Sequence, residues 1–139
     1  MSLTDKQKAL VQTTFGMVTD PDALAAKFYE RLFETDPAVS ALFKGDMKEQ
    51  GKKLMQTLKI VVGSLDNLAA IVPAVQELGK RHVTYGVTAD HWDTVGGALL
   101  WTLGDSFGDA FTDEIKDAWA AAYELVAQTA MTAAYAVNE

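Results

Sequence analysis

Residues 74–86 read AVQELGKRHVTYG, and the placing of one imidazole in that stretch decides how the rest of the chain is understood. His82 lies seven residues after Val75, four after Leu78 and three after Gly79, so on a helix it points with the apolar face. An imidazole on an apolar stripe needs partners for its ring nitrogens, or it leaves them buried and unsatisfied. Two readings follow. One is a core histidine bonded to a backbone carbonyl. The other is a single axial metal ligand whose second ring nitrogen donates to a carbonyl one turn back. Pro73 can open this helix and Gly86 can stop it.

Working outward, almost every other segment also has the helical period. Thr4-Asp5-Lys6-Gln7 spells a capping box, followed by Leu10, Val11, Phe15 and Val18 at helical spacing. Asp20-Pro21 supplies a cap and a first-turn proline for a second helix. Its apolar face is Ala25, Phe28, Tyr29, Leu32 and Phe33. Asp36-Pro37 repeats the signal for a short piece from Ala38 to Phe43, which Lys44-Gly45-Asp46 ends. A longer helix runs from Met47 to Leu65 with Met47, Leu54, Leu58, Val61 and Leu65 on one face. Beyond the His82 helix, another begins around Thr88-Ala89-Asp90 and carries Trp92, Val95, Leu99 and Leu103. Gly104 to Thr112 is turn-rich. The last helix starts at Thr112-Asp113-Glu114 and carries Ile115, Trp119, Ala122, Val126 and Ala133. No period-2 strand of useful length separates these segments. The expectation is one all-α domain over residues 1–139, with six long and one or two short helices. Those proline and cap signals favour an irregular assembly over an up-down bundle of four long helices.

Composition narrows the chemistry. The chain has 139 residues, twelve Lys and Arg against nineteen Asp and Glu, a formal charge of −7 and no cysteine. An acidic field disfavours an extended nucleic-acid or anionic-membrane surface. The absence of cysteine removes disulfides, thiolate metal sites, iron–sulfur clusters and a catalytic thiol. His82 and His91 are the only histidines. His91, in TADHWD, reads as a solvated first turn, because Asp90 and Asp93 beside it offer divergent rather than convergent ligands. The start, MSLTDKQKALVQ, is not a basic segment leading into an apolar one. The apolar run from Leu68 to Val75 contains a proline and falls far short of the roughly 18–20 residues a membrane span needs. The expected location is the cytoplasm.

Two further polar groups lie on apolar faces. Gln50 sits four before Leu54, and Tyr29 places a hydroxyl on the buried stripe of the second helix. Each alone is more often a satisfied core group. With His82 they put three polar side chains on three helices, the makings of a mostly apolar pocket with convergent polar groups.

The segments KFYERLF (27–33), ALFKGDMKEQGKKLM (41–55), LGKRHVTYGV (78–87) and DAWAAAYELVAQ (117–128) resemble the globins of bacterial haemoglobins. The class is that of single-domain haemoglobins and the haem domain of flavohaemoglobins. The resemblance runs from about Leu3 to Tyr135, and the spacing of Phe43, Gln50 and His82 makes it specific. It implies the globin fold around a haem b (iron protoporphyrin IX), the porphyrin supplying four iron ligands. It further implies that His82 is the proximal iron ligand, Gln50 the distal residue and Tyr29 the second-helix tyrosine that reaches towards bound gas. Phe43 would pack on the porphyrin, Leu54 and Val87 would line its two sides, and Arg81 and Lys53 would pair with its propionates. Donors from Tyr29 and Gln50 would favour oxygen, which takes on negative charge when bound, over carbon monoxide.

One departure bears on activity. The flavohaemoglobin-related class carries a proximal relay, a tyrosine early in the seventh helix and a glutamate late in the last. HWDTVGG and DAWAAAYELV put Trp92 and Ala134 at those places. An indole donates one hydrogen bond but is no acid–base group, and an alanine is neither, which argues against strong peroxidase-like or dioxygenase chemistry. Tyr123 reads as a core residue. The leading expectation is therefore reversible binding of oxygen and other diatomic gases, for transport or storage. The alternative is nitric oxide dioxygenation with a separate reductase as electron donor, since the chain has no Gly-rich nucleotide loop. Gas sensing and a haem-free helical domain rank lower, the former because no transmitter segment follows Glu139.

Overall fold

The structure, a computed structural model, describes residues 3–43, 45–84 and 89–136. Each of the first three α-helices begins where a side chain takes over an orphan amide. Helix α1 (Asp5–Gly16) starts at the Thr4 capping box, with Gln7 N–H donating to Thr4 Oγ1 at 3.0 Å and Thr4 N–H to Gln7 Oε1 at 3.1 Å. Helix α2 (Pro21–Thr35) has Asp20 accepting from Ala23 N–H at 3.1 Å and a proline where no amide is needed. Helix α3 (Met47–Gly63) is capped by Asp46, which accepts from Lys48 N–H at 2.8 Å.

Helices α4 (Val72–Thr84), α5 (Ala89–Phe107) and α6 (Asp113–Ala136) complete the described set, and three 3-10 helices, Pro37–Leu42, Leu65–Ala70 and Gly108–Ala110, turn the chain between them. Among the described residues there is no strand. The architecture is the expected all-α one, with three short pieces where one or two were anticipated. Helix α3 ends two residues before Leu65, and Leu65 instead opens a 3-10 segment. Helix α5 runs through Gly104 to Phe107, so the supposed turn-rich stretch is helical in its first half. Phe111 lies against Gly104, with ring atoms 3.5 Å from where a Cβ would sit, and tertiary packing outweighs the glycine's weak propensity. The turn follows at Gly108, at φ 56°, a left-handed conformation that favours glycine.

The main core is built by α1, α2, α3, α5 and α6 around Val11, Phe28, Leu32, Met55, Leu99, Leu103 and Trp119. A smaller cluster, Val75, Trp92, Ala127 and Ala130, joins α4 and α5 to α6. Helix α3 packs on α2 and α1, whereas α4 packs almost wholly on α6. Helices α3 and α4, joined through Leu65–Ala70, make little contact with one another. Two walls therefore stand apart, one carrying Gln50 and the other His82.

Candidate functional site

The α2–α3 wall is aromatic with one polar pair. Tyr29 is 7% exposed and sits edge-on to Phe28 and Phe43, at ring-centroid distances of 5.0 and 5.4 Å. Phe33 completes the group, 5.3 Å from Phe43 and 6.0 Å from Tyr29. Edge-to-face contacts of this kind fix ring orientation as well as bury area. Burial pushes the Tyr29 hydroxyl above its ordinary pKa, and a side-chain hydrogen bond with Gln50 offsets this in part. The phenol is thus a neutral donor. Gln50 can reach it because Gly51 lets α3 approach α2 closely, a Cβ there falling 3.1 Å from Ala25 Cβ. Leu54, one turn on from Gln50, is half-buried and packs against the main core.

The α4–α6 wall is built from backbone contacts. His82 is half-buried, with Nδ1 2.7 Å from the Leu78 carbonyl oxygen. A carbonyl oxygen only accepts, so Nδ1 carries the proton and Nε2 is the basic nitrogen of the ring. One turn earlier, Gly79 lies against α6, where a Cβ would collide with the Ala130 carbonyl group. Any side chain at residue 79 would lift α4, and His82 with it, off α6. The Trp92 ring, 8% exposed, stands 5.3 Å from the His82 ring at 39°. Tyr123 on α6 donates its hydroxyl proton to the Trp92 carbonyl oxygen at 2.6 Å. Burial first, and the nearby Asp93 carboxylate second, hold the Tyr123 phenol well above its ordinary pKa. Its ring fits because residue 96 is glycine, where a Cβ would come within 2.7 Å of Tyr123 Cε2.

Tyr29, Phe43 and Gln50 are therefore brought together, and His82 is joined by Trp92 on the other wall. Lys53 and Arg81 are exposed. Val87 lies outside the described residues, as does the side chain of Ala134. Sequence reading passed over Tyr123 as a core ring and did not mark Phe33, Gly79 or Gly96 as positioning residues. Only Phe33 carried a usable signal, its i+4 spacing from Tyr29. The other contacts join positions more than 25 residues apart. Among the described residues no three His, Cys, Asp or Glu side chains converge as a metal site, and no helix is long and apolar enough to cross a membrane.

Comparison with known proteins returns one family. The Globin profile matches residues 26–130. A flavohemoprotein of Rhodopirellula baltica is 33% identical over 129 residues, which are 90% of this chain and 32% of that protein. One from Vibrio cholerae is 30% identical over 130 residues, 91% of this chain and 33% of its own. The chain thus spans about a third of the length of these curated relatives. Among solved structures, an engineered carbene transferase from Rhodothermus marinus superposes with a TM-score of 0.89 at 26% identity, covering 99% of this chain and 96% of that one. A bacterial globin from Campylobacter jejuni superposes at 0.85 with 22% identity, covering 97% and 99%.

Proposed function

The chain belongs to the globin family, a membership that implies haem binding, and from that premise we propose that it is a haem b protein that reversibly binds oxygen and other diatomic gases. The observation that carries this reading is the hydrogen bond from His82 Nδ1 to the Leu78 carbonyl. It orients the imidazole and leaves the basic nitrogen at Nε2, the state a proximal iron ligand requires. The residues present fit the group in a second respect. Tyr29 is a buried, neutral hydroxyl whose neighbours are three phenylalanine rings and the Gln50 amide, a dry wall with two donors.

A bound haem would supply an iron that can take up a diatomic gas. The roles of this chain's own groups follow from their chemistry. His82 would hold the iron through Nε2. Tyr29 and Gln50 would offer hydrogen bonds to the bound gas, which favour ligands that gain negative charge over those that do not. The phenylalanine rings exclude water, which slows oxidation. Phe43 and Leu54 would pack against the porphyrin, and Lys53 and Arg81 would pair with its propionates; Val87, the other residue expected to line it, lies outside the described residues.

Nitric oxide dioxygenation with a separate reductase is the second reading. The Rhodothermus protein, described as a candidate nitric oxide dioxygenase, and the flavohemoprotein relatives speak for it. Binding is placed ahead of it because, among the described residues, the Trp92 indole stands beside His82, and an indole cannot exchange a proton with the imidazole. The decisive experiment is the absorption spectrum of the purified protein with haemin. A Soret band that disappears in His82→Ala supports the haem reading, and a spectrum unchanged by that substitution overturns it. Sustained consumption of nitric oxide in the presence of a generic reductase would promote the second reading over the first.

A further inference from the structure

Helix α2 turns Phe28, Tyr29 and Leu32 inward, and its outer side carries four charges whose order is complementary to its own reverse. Lys27, Glu30, Arg31 and Glu34 fall within about 100° of arc at about 3.6 residues per turn. Opposite charges three apart, Lys27 with Glu30 and Arg31 with Glu34, are near enough on a helix to pair, yet they form no ion pair with one another. The cations are drawn to α5 instead. Lys27 Nζ meets Asp105 at 2.7 Å, and the Arg31 guanidinium lies over the Trp101 ring at 4.5 Å. Glu30 and Glu34 are exposed, and among the described residues neither is in an ion pair, nor is Arg31. Trp101 is 40% exposed, a large apolar side chain left in water. An open cavity of about 140 Å³ lies among Lys27, Glu30, Arg31, Glu34 and Trp101.

We propose that the outer face of α2, with Trp101 beside it, is the contact through which two copies of this chain form a symmetric dimer. A two-fold axis lying across the helices sets two copies of α2 antiparallel, each offering the same patch to the other. With the axis between residues 30 and 31, Lys27 stands level with the second copy's Glu34, and Glu30 with the second copy's Arg31. Every charge of the face is then level with an opposite one. A shift of one turn either way keeps only half of these matches, and a parallel, in-register arrangement sets like against like. Charge therefore fixes one register. The Lys27 ammonium has three donors, enough to hold Asp105 within its own chain and a carboxylate across the seam. The four charges of the face cancel, so the −7 of each chain is not concentrated where the copies meet. Tryptophan and arginine are the residue types that dominate interface centres, and stacking on Trp101 holds the guanidinium in place before contact, which lowers the ordering cost. Alternating signs do not suit a nucleic acid or an anionic membrane, each of which offers one sign only. The seam lies on the helix that carries Tyr29 on its other side.

The test is the mass of the full chain in solution, measured by sedimentation equilibrium over a wide range of concentration. The unaltered chain is expected at twice the mass of one chain. Glu34→Lys alone and Lys27→Glu alone are each expected at the mass of one chain, because each sets like charges level across the axis. Mixed in equal amounts, the two variants are expected to regain the double mass, since the cations of one then face the acids of the other. Trp101→Ala is expected to raise the dimer dissociation constant at least tenfold, whereas Lys59→Glu on α3 changes it less than twofold. Far-ultraviolet circular dichroism of each variant separates loss of the dimer from loss of the fold. A single-chain mass at every concentration, a dimer indifferent to both reversals, or two variants that stay apart on mixing would overturn the proposal. None of these measurements depends on bound haem.

Discussion

The two walls of the site are held by different kinds of contact. On the α2–α3 side, rings meet side chain to side chain, and the one close backbone approach is the mild one at Gly51. On the α4–α6 side, the Gly79 backbone rests on the Ala130 carbonyl, the His82 ring is tied to a carbonyl, and Tyr123 is tied to another. Side chains relieve a misfit by changing rotamer, whereas backbone pressed on backbone can only separate. The first wall should therefore tune what is bound and tolerate substitution. The second should determine whether the site exists at all.

The largest effect tests the second wall directly. His82→Ala is expected to abolish the coordinated haem spectrum entirely while leaving the far-ultraviolet helical signal intact. Next comes Gly79→Ala, which should destabilise the protein by about 3 kcal/mol, the upper part of the range for overpacking, and show as a lowered urea midpoint. The matching change on the first wall, Gly51→Ala, meets only a methyl group at 3.1 Å and should cost about 1 kcal/mol or less. If the two alanines cost the same, the contrast between the walls fails.

Tyr29→Phe removes a hydroxyl without removing the ring. Oxygen dissociation should quicken about tenfold, the equivalent of one hydrogen bond at about 1.4 kcal/mol, with little change in thermal midpoint. The smallest effect concerns Tyr123 and depends on pH. Its phenol is held above the ordinary value of 10.0 in the folded protein, so the unfolded chain releases that proton first. Stability is then complete below about pH 10 and is lost as the pH rises beyond it. Tyr123→Phe loses the bond to the Trp92 carbonyl, about 1 kcal/mol, and also loses that alkaline sensitivity. The gap in urea midpoint between the two proteins should narrow from pH 8 to pH 11, and a constant gap would contradict the burial of the hydroxyl.

Much of this was legible in the residues. The caps at Thr4 and Asp20 are visible in sequence because a cap is a local contract between residues three apart. His82 could be placed on an apolar face from Val75, Leu78 and Gly79 alone, and Tyr29 and Gln50 from their own helices. Less legible were the ends of α3 and α5. Whether a helix continues through Gly104 depends on Phe111 packing against it, and no window of sequence contains that information. Gly79 and Gly96 read as weak points in helices, yet α6 presses on each, with the Ala130 carbonyl at Gly79 and the Tyr123 ring at Gly96.

Periodicity and caps determined by themselves that this chain is helical and which side chains face inward, because both are set within one or two turns of backbone. The family likeness added the identity of the bound group. Which inward groups meet was decided only in three dimensions. Tyr29 with Gln50 and Tyr123 with Trp92 are brought together by helix crossings, and crossings are chosen by the fit of whole surfaces. The same applies to the −7 counted from composition. Its sign is a property of the sequence, but that Lys6 meets Glu114 and Lys27 meets Asp105 is a property of the fold, because only the fold sets how far apart the charges lie.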